Sequence, residues 1–210
     1  EGKTLLDLTL ENLKKHGITD IAIVSGWKKE KIHEKLGDSV THLFNPFYET
    51  TNDMASLWFG KEAVGDEPFL YLHSDLLYHD ELIKKAIDAE GDIVLVTDTE
   101  VFDEESMKVK LDEKGHLIES SKAIPLDQAG GEWTGIIKFS SEGWKKLIPE
   151  IESLLAEGRF MDYDTSALTN LAEKGFPIKI VPTDKLPWIE IDFPDDLEKA
   201  KNEIYPKLLK

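Results

Sequence analysis

Hydrophobic positions recur along this chain with two different periods. Short unbroken apolar runs alternate with longer segments in which apolar residues return every three or four positions, the signatures of buried strands and amphipathic helices. Residues 4–16 read as a helix: Leu6, Leu10 and Leu13 share one stripe, and Gly17 supplies the stop. Residues 21–24 form a short buried strand that ends in Ser25-Gly26-Trp27, a tight turn into a helix over 28–36. A strand over 40–44 is broken by Asn45-Pro46. Thr51-Asn52 offers an N-cap for a helix from 53 to about 64, with Met54, Leu57 and Trp58 facing inward. Residues 69–73 form a strand apolar enough to be covered on both faces, and Asp75 lies just past its end. A helix over 80–89 and a strand over 93–96 continue the pattern.

The middle of the chain changes character. Strands over 107–111 and 116–119 flank Asp112-Glu113-Lys114-Gly115, a hairpin turn with glycine at the positive-φ position. Residues 133–139 form another strand after Gly130-Gly131, and helices follow over about 141–157 and 162–174. Strands over 177–181 and 188–191 come next, and Pro194 opens a last helix running to about residue 205. The expected fold is α/β: a mostly parallel, doubly wound, Rossmann-like sheet with a β-hairpin insertion, in one domain spanning 1–210. No internal repeat or low-complexity segment interrupts it.

Composition narrows the function. A chain of 210 residues suffices for one α/β core, and 40 % hydrophobic with 32 % charged residues marks a soluble globular protein rather than a disordered one. The formal net charge of −17 argues against nucleic acid or an anionic membrane surface as partner. A small phosphate ligand remains compatible, because a metal ion can screen the local field. Without cysteine there are no disulfides, thiolate zinc sites or thiol nucleophiles. No apolar run approaches the roughly 18 residues of a membrane span and no signal peptide is visible, so a cytoplasmic location is expected.

In parallel α/β sheets ligands gather at the carboxyl ends of strands. Asp75 stands at such an end. In Trp188-Ile189-Glu190-Ile191-Asp192, alternation sets Trp188, Glu190 and Asp192 on one face. Asp75, Glu190 and Asp192 are therefore expected to meet around Mg²⁺, which favours carboxylate and phosphate oxygens. In so acidic a chain the same residues also read as ordinary solvated carboxylates. Asn45, Asn52 and Ser56 could read a nucleobase edge, and Ser25-Gly26 could do so through the backbone; on the residues alone, Asn52 is better read as a helix cap. Trp133, Trp188, Asp162, Tyr163 and Asp164 suit an ammonium group. Equally, the tryptophans can be core and Asp162 a cap. The six histidines show no metal-ligand spacing with one another; His73 ends the key strand and could line the site, although a satisfied buried histidine is the better reading. No GxGxxG, P-loop or G-x-S-x-G motif occurs.

The motif order SGW, FNPFYETTNDMASLW, a strand ending in Asp75, GGEWTGIIKF, FMDYDTSAL and PWIEIDFPDDLEKA resembles the nucleotidyltransferases of the CTP:phosphocholine cytidylyltransferase type. The resemblance covers essentially the whole chain. It implies Mg²⁺-dependent transfer of CMP from CTP to a phosphocholine- or 2-aminoethylphosphonate-like acceptor, with release of pyrophosphate. It also implies roles: Asp75 and Asp192 catalytic; Asp75, Glu190 and Asp192 for the metal; Ser25, Gly26, Asn52 and Ser56 at the nucleotide; Trp133, Asp162 and Tyr163 at the acceptor. The family's first strand, its glycine-rich loop with an Arg and its Pro-Lys pair have no counterpart here. Glu1-Gly2-Lys3 aligns just after them, so about 25 preceding residues are expected, one strand and loop of a βα unit. A sugar-1-phosphate nucleotidyltransferase and a non-catalytic nucleotide-binding module are the alternative readings. A homodimer is among the arrangements that the sequence leaves open.

Overall fold

In the computed structural model, which describes residues 2–209, helix α1 (Leu5–Lys15) leads to strand β1 (Ala22–Ser25), helix α2 (Lys29–Leu36) and strand β2 (Thr41–Phe44). Helix α3 (Asp53–Gly60), strand β3 (Phe69–Leu72), the short strand β4 (Leu76–Tyr78), helix α4 (Glu81–Asp88) and strand β5 (Ile93–Asp98) follow. The hairpin of β6 (Lys108–Leu111) and β7 (Leu117–Ser121) precedes the nine-residue strand β8 (Gly131–Phe139). Then come helices α5 (Ser141–Ala156) and α6 (Asp164–Glu173) and strands β9 (Lys179–Pro182) and β10 (Trp188–Glu190). The C-terminal helical stretch runs through α7 (Pro194–Lys199), a π-helical segment (Ala200–Ile204) and α8 (Tyr205–Leu208). Helix starts follow local chemistry. Thr4 and Asp7 form a reciprocal capping box on α1, Asn52 caps α3, and Ser140 Oγ accepts from Gly143 N–H at the start of α5.

The sheet is α/β and mostly parallel, as the alternation predicts. Strands β3 and β5 lie on either side of β8 and run antiparallel to it, and β9 is parallel to β5. Thus β3, β5 and β9 point the same way and β8 is reversed. The reversal has a plain cause: β8 is reached from β5 through the hairpin, not through a helical crossover of the kind that parallel strands need. Strands β1 and β2 form a separate parallel pair.

The apolar run of β5 is explained by two covered faces. Ile93 and Leu95 join a core with Leu147 and Ile151 of α5 and Leu168 of α6, while Val96 joins one with Leu82 and Ile83 of α4 and Leu13 of α1. Each strand face meets its own helical layer, so the side chains need not alternate with polar ones. One strand was not expected from the sequence: β4 pairs antiparallel with β10, setting Glu190 opposite Leu76. Three residues are too short a run to show a period.

Among the described residues, β1 pairs only with β2 and β3 only with β8. Residues of both strands line one large cavity of about 2110 Å³, together with Leu6 and Leu13 of α1 and Leu57 of α3. A sheet edge without a partner leaves backbone groups open to water. No described helix is long and apolar enough to cross a membrane.

Lys108 is fully buried, and its ammonium donates to the backbone carbonyls of Asp103 (3.3 Å), Glu104 (2.7 Å) and Ser106 (3.4 Å). It thereby closes the loop 99–107, part of which lines the cavity. Replacing it takes the ammonium from all three carbonyls, of which that of Asp103 keeps the Ser106 N–H at 3.4 Å. Lys108→Met is expected to lower unfolding stability by roughly 2–4 kcal/mol; an unchanged denaturant midpoint would show that the clamp is dispensable.

Candidate active site

The carboxyl end of β3 and the end of β10 meet although their residues lie far apart in sequence. The β4–β10 ribbon brings them together, and Ile191 N–H donates to the Asp75 carbonyl at 3.0 Å. Ligand atoms of Asp75, Glu190 and His73 lie within 4.8 Å of one another. Asp75 Oδ1 is buried without a hydrogen-bond partner. Burial, followed by the charge of Glu190, raises the Asp75 carboxyl above its ordinary range, and the same two causes raise Asp192. Asp192 is exposed and lies outside that tight group, but it lines the same cavity. The group has the oxygen donors that a hard divalent cation takes, with an orphaned buried oxygen among them.

His73 sits at the centre. Its backbone N–H donates to Gly135 O at 3.0 Å, and its ring packs edge-on against Trp133 at 4.8 Å. Strand β8 bulges here, with its register against β5 shifting between Leu95 and Thr97. Gly135 takes φ +80 in the bulge, and a Cβ there would come within 3.1 Å of the His73 side chain. Bulges re-aim side chains next to sites; this one presents Trp133 to His73. The Nε2 of His73 faces Asp164 Oδ2 at 3.4 Å and Asp53 Oδ2 at 3.9 Å, and its Nδ1 faces Glu190 Oε1 at 3.6 Å. Burial works against a charged imidazole here, but the contacts with Asp164 and Glu190 outweigh it, and His73 is held well above its ordinary range. Asp53 is pushed up to about 7, first by burial and then by the charge of Asp164.

A second acidic wall faces the same cavity. Glu132, half-buried, is pushed up to about 7, mainly by burial, with the charges of Asp103, Glu190 and Asp98 adding to it against a hydrogen bond from Ser106. Trp188 Nε1 donates to Asp98 Oδ2 at 2.9 Å. Phe102, Met107, Trp133 and Trp188 line the cavity beside these acids. The combination of aromatic surface and carboxylates is what a cationic nitrogen binds.

The structure sorts the sequence-derived candidates. Asp75, Glu190, Asp192, Asn52, Ser56, Trp133 and Tyr163 line the cavity. Ser25 and Gly26 do not: the Ser25 hydroxyl donates to Leu43 O at 3.1 Å, and a Cβ on Gly26 would lie 2.5 Å from Tyr48 Cβ. The close approach that Gly26 permits is to a neighbouring side chain. Asn52 is a cap, accepting from Asp53 N–H, and its amide donates to Met161 O at 3.3 Å. Asp162 also lies off the cavity, ion-paired with Arg159, while Asp164, two residues on, is the one that reaches His73. Sequence reasoning missed Glu132 and Asp53, and it ranked a core role for His73 ahead of the place at the site that the structure gives it. The signal was thin: a single Glu before Trp133, and a histidine that reads equally well as core.

These pKa shifts share one sign. The unfolded chain releases the Asp53, Asp75 and Glu132 protons near the ordinary carboxylate range, and the folded chain holds them to higher pH. The folded state therefore binds more protons in between, and stability falls as pH rises. His73, raised in the fold, adds in the same direction above its ordinary value. In chelated buffer, unfolding stability is expected to drop by roughly 2–4 kcal/mol from about pH 4 to about pH 7. Denaturant titrations across that range check it; a rise with pH would contradict the site electrostatics.

No family model matches the chain. The CTP:phosphoglutamine cytidylyltransferase of Campylobacter jejuni is 27 % identical, over 94 % of this chain and 87 % of its own length. The choline-phosphate cytidylyltransferase of Streptococcus pneumoniae is 25 % identical, over 95 % and 84 %. The CMP-5'-(3-aminopropyl)phosphonate synthase of Streptomyces rubellomurinus is 23 % identical over 98 % of this chain, but only 34 % of its own length is matched. Among solved structures, the inositol-1-phosphate CTP transferase from T. maritima matches with a TM-score of 0.81 at 24 % identity, covering 100 % of this chain and 84 % of that one. The CTP:phosphocholine cytidylyltransferase from Streptococcus pneumoniae gives 0.71 at 18 %, covering 100 % and 87 %. Along its whole length the chain is thus similar to cytidylyltransferases and carries the nucleotidyltransferase fold, as its motif order implies.

Proposed function

We propose that this chain transfers CMP from CTP to a small phosphate or phosphonate acceptor that carries a cationic nitrogen, releasing pyrophosphate. The observation that carries the reading is the meeting of Asp75 with Glu190 in a cavity that Glu132, Trp133 and Trp188 also line. Similarity to relatives named for CTP, choline phosphate and an aminopropylphosphonate supports it.

Asp75, Glu190 and Asp192 would hold Mg²⁺. Bound there, the ion would offset the charge of the phosphates that this acidic chain otherwise repels. Asn52 and Ser56 face the nucleotide side. Asn45 supports them, donating to Ser56 Oγ at 3.2 Å and to Thr51 Oγ1 at 3.1 Å. Glu132 takes the acceptor's nitrogen, with the rings of Trp133 and Trp188 alongside. An acceptor oxygen then attacks the α-phosphorus of CTP, and the chain's work is mainly positioning and electrostatic stabilisation.

The test is pyrophosphate release with CTP and Mg²⁺ against phosphocholine, 2-aminoethylphosphonate, inositol 1-phosphate and glucose 1-phosphate. Turnover is expected with an amine-bearing acceptor; turnover with glucose 1-phosphate alone would replace this reading with a sugar-phosphate one. Asp75→Asn should lower kcat about 10³-fold or more, since it removes several kcal/mol of metal-linked stabilisation. Glu132→Gln should raise KM for the amine-bearing acceptor roughly tenfold, the loss of one charge-assisted contact, and leave KM for CTP unchanged. An equal rise in both KM values would place Glu132 elsewhere in the reaction.

A further inference from the structure

On the side of His73 away from Asp75 lies a second group: Asp53 at the start of α3, His73 at the end of β3, and Asp164 at the start of α6. One ligand atom from each falls within 4.8 Å of the others. The separations from His73 Nε2, 3.4 Å to Asp164 Oδ2 and 3.9 Å to Asp53 Oδ2, exceed the ~2.7–2.9 Å of a charge-assisted hydrogen bond. They approach the spacing of roughly 3.3 Å between ligand atoms around a tetrahedral ion with bonds of ~2.0–2.2 Å.

An independent observation points the same way. Asp164 is completely buried; its Oδ2 faces His73, its Oδ1 makes no well-formed hydrogen bond, and the buried Tyr71 hydroxyl is the carboxylate's other polar neighbour. Asp53 Oδ1 accepts the Asp164 N–H at 2.8 Å, which fixes that carboxylate and leaves Oδ2 turned to the histidine. A buried carboxylate oxygen without a donor is costly and calls for a cation. The far ring nitrogen of His73 faces Glu190. Ligating histidines commonly pass their other nitrogen to a carboxylate in this way. An imidazole among the donors favours transition ions over Mg²⁺ or Ca²⁺.

We propose that Asp53, His73 and Asp164 form a binding site for a divalent transition-metal ion of the zinc class, separate from the Asp75, Glu190 and Asp192 carboxylates. The ion ties the starts of α3 and α6 to the end of β3. This inference stands without the proposed reaction, since its readout is metal uptake.

The experiment uses the whole chain, stripped with chelator and titrated with Co²⁺ or Zn²⁺ in the presence of excess Mg²⁺. Wild type should take up one equivalent, with a visible Co²⁺ absorption band of a low-coordinate site and a raised Tm on Zn²⁺ addition. His73→Gln and Asp53→Asn should each bind at least about 100-fold more weakly. Asp53→Asn keeps an amide oxygen to accept the Asp164 N–H, so the fold is preserved while the ligand is lost. Asp192→Asn should bind like wild type. No uptake by folded wild type overturns the site, as does uptake unchanged in both His73→Gln and Asp53→Asn. An imidazole doubly protonated by ¹⁵N NMR in the presence of Zn²⁺ would also overturn it, assigning the cluster as an internal ion cluster around His73.

Discussion

Buried negative charge is the constraint around which this site is built. Asp53, Asp75, Asp164 and Glu190 come together at the end of β3, and Asp192 and Glu132 stand close enough to feel Glu190. Like charges brought out of water repel and raise one another's protonation range. Among the described residues, His73 is the only side chain that forms ion pairs with Asp53, Asp164 and Glu190. One imidazole facing three carboxylates leaves a net negative pocket even when charged. Such a pocket lowers its free energy by holding protons on its carboxylates or by taking up further cations.

The backbone holds this arrangement by means other than the charges. The β4–β10 ribbon fixes Glu190 beside Asp75 through ordinary ladder pairing. The bulge at Gly135 lets His73 approach β8 and turns Trp133 against it. The start of α6 hangs on the start of α3 through the Asp164 N–H to Asp53 bond, and Asn52 holds the preceding loop through Phe160 and Met161. Lys108 closes the loop on the Glu132 side. Repulsion among the acids is therefore borne by hydrogen bonds in the scaffold, which preorganises donors before any ligand arrives.

The strongly acidic composition and a phosphate-handling fold look at odds until the site is seen. A chain of net charge −17 repels polyphosphates at long range. The carboxylates fall into two groups, one with an orphaned Asp75 oxygen and one with an orphaned Asp164 oxygen, so unmet demand for a cation is local even in a chain that is acidic throughout. Under the proposed function, the acidic, aromatic wall of Glu132, Trp133 and Trp188 would extend the same logic to a cationic organic group.

Much of the fold was written in local pattern. The apolar run of β5, the capped starts of α1 and α3, and the turn between β6 and β7 each follow from neighbouring residues, because propensity, capping and periodicity act within a few positions. Asp75 stood out because it ends a strand of that kind. What the sequence left open were facts of contact between distant segments. It could not tell that β8 runs backwards between β3 and β5, that Glu190 is carried to Asp75 by an unforeseen β4, or that Ser25 and Gly26 turn to Leu43 and Tyr48. Nor could it tell Asp164 from Asp162: each is an acid near a helix start, and only tertiary packing buries the first against His73 and leaves the second beside Arg159. Burial and pairing, which decide what a carboxylate does, are properties of neighbours in space, and the sequence lists only neighbours along the chain.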